Sequence, residues 1–259
     1  MGEDPRSPAR ARARCSLAAA LASGLVLLAP AVAGARNSTV SPKGAPAGSA
    51  VVSLSDLRTL SRWGYPAAAA AVHQEPWSGS RVVGRLQFLT PDGQAQLYLA
   101  LRSYTVGRVT WILISVPGRP NGITGWVPAN ALGELHVARE YLRVDRQRLR
   151  AVLFRSGRAI WGAPVGVGRP SLPTPAGQFY VTEKLTSERG SSYGPYAIGT
   201  SAYSPRLTDW PGGGVVGIHG TDEPQLVPGR PSHGCIRLRN ADITRLWSLI
   251  EVGTPIEIV

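Results

Sequence analysis

The sequence predicts a mainly β chain: a small β barrel, then a second β unit of sandwich type, with one helix late in the chain. Three observations predict it. Gly 30 and Pro 22 among 259 residues supply many turns and favour short strands over long helices. Apolar pieces of strand length recur from Val72 onward, parted by turn signals such as Pro91-Asp92-Gly93 and Pro120-Asn121-Gly122. Late in the chain Ile243, Leu246, Trp247 and Ile250 repeat at the spacing of one helical stripe. Apolar residues make up 43% of the chain and charged residues 17%, which suits buried cores and argues against general disorder.

The elements follow in order. Arg6, Arg10, Arg12 and Arg14 precede an uncharged Ala/Leu-rich run from Cys15 to Ala35, the pattern of an export signal. Small residues at Ala31-Val32-Ala33 offer a cleavage site, so residues 1–33 are assigned to a signal peptide. An uncleaved anchor is the alternative, because the run is nearly long enough to span a bilayer. Either way the remainder lies outside the cytoplasm, and any membrane contact is through that anchor alone. Residues 34–66 are read as a linker on their Ser, Pro, Gly and Ala content, with a short apolar-periodic piece, Leu54 to Trp63, predicting a helix.

Residues 67–135 form the first β unit, with strands expected at Arg81–Leu86, Gln96–Tyr104, Val109–Val116 and Gly125–Val127. The segment Gly122-Ile123-Thr124-Gly125-Trp126-Val127-Pro128-Ala129 resembles the closing strand of bacterial SH3-like domains. The plain alternative is a generic barrel with Trp126 as core packing. Residues 136–259 form the second unit. Leu149–Phe154 and Ala159–Val167 flank the turn Arg155-Ser156-Gly157-Arg158 as a hairpin, and Gln178–Glu183 is a further strand. The late helix has Asn240 as its expected N-cap and Asp242 at the positive end of its dipole. Gly253 and Pro255 stop it, and Pro255 to Val259 reads as a last strand.

The net charge is +12, which favours polyanionic partners. The arginines are scattered, and no helix-turn-helix, zinc-finger or RNP-like aromatic pattern accompanies them, so nucleic acid is not expected. Anionic lipid or anionic wall polymer remains.

Of the two cysteines, Cys15 sits inside the export signal, leaving Cys235 as the one thiol of the mature chain. A leftover thiol in an exported protein is paired between molecules, buried as a small hydrophobe, or reactive. Its neighbours, Ser232-His233-Gly234 and Arg237, are polar and do not resemble an apolar core. A thiol attacks as thiolate and needs a base or a positive field. His219 and His233 are candidate bases; Arg230, Arg237 and Arg239 are candidate fields. Gly234 permits a tight turn that aims its own amide and that of Cys235 at a developing oxyanion. His73 and His136 are isolated and read as structural. Pro211-Gly212-Gly213-Gly214 reads as a turn, since no Walker-type Lys-Ser/Thr follows.

At His219, and at Ser232-His233-Gly234-Cys235-Ile236-Arg237, the sequence resembles the YkuD-type L,D-transpeptidase family. Val165-Gly166-Val167-Gly168, Pro173-Thr174-Pro175-Ala176-Gly177 and Gly194-Pro195-Tyr196-Ala197 resemble further parts of the family pattern. The likeness covers about Leu135 to Val259. It implies Cys235 as nucleophile and His219 as base, oriented by the Gly220 carbonyl. It places His233, Gly234, Ser232 and Arg237 at the oxyanion and substrate side. It implies peptidoglycan stem peptides as partners, a location in the cell wall or periplasm, and acylation of the thiol by carbapenems. The implied reaction displaces the terminal D-Ala of a tetrapeptide stem and passes the acyl group to a side-chain amine of another stem. With water as acceptor it becomes an L,D-carboxypeptidase. The resemblance implies no cofactor and no metal. Three rivals stand beside it: a zinc site of His219, His233 and Cys235, a non-catalytic wall-binding protein, and a cysteine protease, whose papain-like signatures are absent.

Overall fold

The computed structural model describes residues 50–188, 190–208 and 211–259. The export signal and the first part of the linker lie outside the described residues. The described residues belong to one compact unit, built on two sheets. The first holds β1 (Ala50–Ser53), β2 (Ser61–Gly64), β3 (Ala71–His73) and β4 (Val82–Arg85). It continues with β5 (Tyr98–Val106), β6 (Val109–Ser115), β7 (Thr124–Pro128) and β8 (His136–Ala138). Its order is β4-β3-β7-β6-β5-β2-β8, with β1 on β5.

The second sheet starts with β9 (Glu140–Asp145), β10 (Arg150–Arg155), β11 (Arg158–Pro164), β12 (Gly166–Gly168) and β13 (Gly177–Thr186). It is completed by β14 (Tyr196–Thr200), β15 (Ile218–His219), β16 (Gly229–Ser232), β17 (Ile236–Arg237) and, after the helix α1 (Asn240–Leu249), β18 (Pro255–Ile258). Its order is β11-β10-β9-β18-β13-β14-β15-β17-β12-β16. Among the described residues the chain is thus mainly β with one α-helix, as the composition predicts.

Local chemistry explains most of these elements. The β10–β11 hairpin closes through Ser156 and Gly157, whose φ values of 48° and 79° are the positive pair a two-residue hairpin turn requires. In α1 the stripe of Ile243 and Leu246, with Ile250 just past its end, is fully buried. It packs on Ile198, Ile218 and Ile236 of the sheet. Burial of each such side chain contributes about 1.5–3 kcal/mol. Trp247 lies at the edge of that core and stacks on Tyr196 at 4.7 Å.

Four expectations are corrected. The helix over Leu54 to Trp63 does not form. Asp56 accepts the amides of Arg58, Thr59 and Leu60 at 2.8, 2.6 and 3.0 Å, a local turn that competes with helical bonding, and Leu57 has φ 64°. The stretch read as linker therefore carries β1 and β2, both paired to β5. Asn240 does not cap α1. Arg239 holds that position without a side-chain bond, while Asn240 Oδ1 accepts the Thr221 amide at 2.9 Å. Finally, β8 lies within the range assigned to the second unit but pairs with β2 of the first sheet.

The two sheets share a cluster. Tyr180 of β13 is buried among Trp63, Leu97, Leu99 and Ala138, and its hydroxyl donates to the Leu97 carbonyl at 3.1 Å. Two loops of the first β unit also grip the second sheet. Arg119 donates to the carbonyls of Ser204, Leu207 and Gly213 at 3.0, 2.6 and 2.7 Å. Thr90 donates to Glu183 of β13 at 2.8 Å.

Candidate active site

Strand register builds the site. Strands β15 and β17 run parallel, with Ile218 opposite Ile236 and His219 opposite Arg237. Side chains alternate across a sheet, so Ile218 and Ile236 enter the core while His219 and Arg237 share the other face. Cys235, two residues before Arg237, falls on that face too.

His219 is buried, 5% exposed. Its Nδ1 lies 2.6 Å from the Gly220 carbonyl. A carbonyl can only accept, so Nδ1 carries the hydrogen and Nε2 presents a lone pair. The peptide that carries that carbonyl is itself held: Asn240 Oδ1 accepts the Thr221 amide at 2.9 Å, and a Cβ on Gly220 would lie 2.4 Å from the same oxygen. The Tyr193 ring covers the imidazole at 4.5 Å.

The nucleophile turn is clamped from two sides. Gly234 has φ 131°, a backbone state that favours glycine. Ser232 Oγ accepts the Gly234 amide at 3.1 Å and donates to the Cys235 carbonyl at 2.5 Å. Thr174, also buried, accepts the Gly168 amide at 2.9 Å and donates to the Gly234 carbonyl at 2.7 Å. The Gly234 amide thus serves the turn and is not available to an oxyanion. The turn's hydrogen bonds do not use the amide of Cys235.

Burial sets the protonation states. Desolvation pushes His219 down to about 4, aided by Arg237 and opposed by the Gly220 carbonyl. Desolvation also raises the Cys235 thiol above its ordinary range, although the Gly217 amide and Arg237 pull it back. Arg237 lowers the thiol as a positive field should, but loss of water outweighs it. At neutral pH the resting pair is a neutral thiol beside a neutral imidazole.

Of the three candidate arginines only Arg237 lines the site, where it pairs with Glu223 at 2.9 Å. Arg239 donates to the Val227 carbonyl and Arg230 to the Arg146 carbonyl. His73 bonds the Ser80 carbonyl and His136 stacks on Trp63, both structural. Among the described residues no three His, Cys, Asp or Glu side chains gather as a ligand set. The predicted residues His219, Ser232, His233, Gly234, Cys235 and Arg237 line one cleft of about 200 Å³. Tyr193, Thr174, Asn240 and Glu223 are participants whose roles the sequence did not reveal. Only Thr174 carried a hint, through its Pro-Thr-Pro-Ala-Gly context.

A second cleft, of about 330 Å³, reaches the same thiol. It shares Tyr193, Val215, His219 and Cys235 with the first. Its far wall includes Asp92, from the first β unit.

Fold and site together define a mainly β protein in which a half-buried thiol and a buried imidazole line two clefts. Residues 139–258 match the L,D-transpeptidase catalytic domain family, YkuD. The Bacillus subtilis protein named L,D-transpeptidase YkuD is 32% identical over 164 residues, covering 63% of this chain and 85% of that protein. The Escherichia coli K12 protein named L,D-transpeptidase YbiS is 26% identical over 216 residues, 74% of this chain and 70% of its own. Among solved structures, the catalytic domain of the Enterococcus faecium L,D-transpeptidase is 28% identical. It covers 46% of this chain and 95% of that one, at a TM-score of 0.36. The chain belongs to the YkuD-type L,D-transpeptidase family.

Proposed function

We propose that this chain cross-links peptidoglycan stem peptides outside the cytoplasm, with Cys235 as the nucleophile. The observation that carries the reading is the His219 tautomer: Nδ1 is tied to Gly220, so Nε2 is the basic atom in the cleft that contains the thiol. As Sγ attacks the carbonyl before the terminal D-Ala, Nε2 takes the thiol proton. The amide of Cys235 and the side chain of His233 face the developing oxyanion. The imidazolium returns its proton to the leaving amine, free D-Ala departs, and a thioester remains on Cys235.

An amine of a second stem then attacks the thioester. The N–C bond forms, the C–S bond breaks, and a proton of the amine returns through His219 to the sulfur. The positive net charge supports anionic wall polymers as a further partner.

The test is incubation with a disaccharide-tetrapeptide followed by mass spectrometry. The expected products are a cross-linked dimer and free D-Ala. Tripeptide alone makes the chain an L,D-carboxypeptidase, and unchanged substrate makes it a wall binder.

A further inference from the structure

The two clefts differ in charge. Among the described residues the first is lined by Arg237, which pairs with Glu223, and by no acid, while the second is lined by Asp92 and by no Lys or Arg. An acid on this wall stands out in a chain of net charge +12. The way it arrives there is specific. Thr90-Pro91-Asp92-Gly93 is a tight turn, with the Gly93 amide donating to the Thr90 carbonyl at 3.0 Å. Pro at its second position and Gly at its fourth suit such a turn. The turn closes a small hairpin through the Leu89–Ala95 bridge.

Thr90 anchors that hairpin to Glu183, which is 5% exposed. Gly199, across the β13–β14 ladder, leaves the space: a Cβ there would lie 2.6 Å from Glu183 Oε1. The Asp92 carboxyl lies close enough to Glu183 to raise its pKa. Burial and the neighbouring acid favour a proton on Glu183, while Asp92, at the exposed tip, faces the cleft.

We infer that Asp92 is the specificity residue for the acceptor: it holds the ammonium of the incoming stem in the second cleft, while the Arg237 cleft takes the anionic end of the donor. This rests on the proposed transpeptidation. The ammonium releases one proton to solvent, the neutral amine attacks the Cys235 thioester, and its second proton returns to the sulfur through His219. The first β unit thereby selects an amine over water.

The experiment follows the partition of the acyl-enzyme. Wild type and Asp92→Asn, which keeps size and hydrogen bonding, are supplied with tetrapeptide donor. The acceptor is a tripeptide stem with its side-chain amine free or acetylated. The ratio of dimer to hydrolysed tripeptide is expected to fall about fivefold in Asp92→Asn, the scale of one partly exposed ion pair, and to recover in Asp92→Glu. An unchanged ratio overturns the inference, as does slower acylation at constant ratio, which makes Asp92 structural. Failure of wild type to release D-Ala from the donor removes the transpeptidation reading and this inference with it. D-Ala release with a ratio unchanged in the variant removes the inference alone.

Discussion

The two clefts at Cys235 share a floor and differ in their walls. Both end on Tyr193, Val215, His219 and Cys235. The first is bordered by Ser204, Leu207 and Gly214, on a loop held by Arg119. The second is bordered by the Asp92 hairpin, held through Thr90. Each wall is thus pinned by a loop of the first β unit, while the chemistry sits on two short strands of the second. On the proposed reading the difference teaches how one thiol would meet two ligands in turn: reactivity is set by β15 and β17, and access is divided by loops from elsewhere.

The largest expected effect removes the shared floor. Cys235→Ala should abolish both the donor adduct and the one-to-one carbapenem adduct, read by intact-protein mass. An adduct that persists takes the nucleophile role from Cys235. Next is His219→Gln, which should slow acylation about 10²- to 10⁴-fold, the usual weight of a general base.

The same variant tests the buried imidazole through stability. Desolvation holds the folded His219 down to about 4, below the ordinary histidine value of about 6.5. A depressed histidine destabilises the fold as pH falls, because the unfolded chain takes up the proton first. The loss begins near pH 6.5, is complete below about 4, and is on the order of 3 kcal/mol. Denaturant midpoints across that window should fall steeply in wild type and less in His219→Gln.

Smaller effects separate the walls. Arg119→Ala loses its hydrogen bonds to three main-chain carbonyls at a cost of about 1–2 kcal/mol. It should slow donor acylation more than it alters the dimer-to-tripeptide ratio. Asp92→Asn should do the reverse. If both variants change the same step, the clefts are not separate entrances. Thr174→Val should weaken the hold on Gly234 and slow acylation, with Thr174→Ser restoring it.

How much of this was legible in the sequence depends on the range of each contact. The Ser156-Gly157 hairpin, the helix stripe and the paired motifs around His219 and Cys235 are local patterns, and each appears where its residues predict. Leu54 to Trp63 misled because its apolar spacing came from residues that pack on the first sheet, while Asp56 bonded the nearest amides. Asn240 had the residue type of a cap, but a partner from before the helix, Thr221, took its oxygen. Glu223 is an exposed side chain, and only the placement of β17 brings Arg237 to it. The Thr90–Glu183 contact spans 93 positions, so no window of sequence could show that the Asp92 turn reaches the second cleft.

The central claim is that a neutral thiol–imidazole pair serves both clefts. The pH dependence of Cys235 alkylation by iodoacetamide tests it most directly. Because desolvation raises the thiol, the account predicts a rate that climbs with pH through a midpoint above the ordinary thiol value of about 8.5, with no plateau near neutrality. A rate already maximal and flat from pH 5 to 8 would mean a preformed thiolate–imidazolium pair, and would contradict the account.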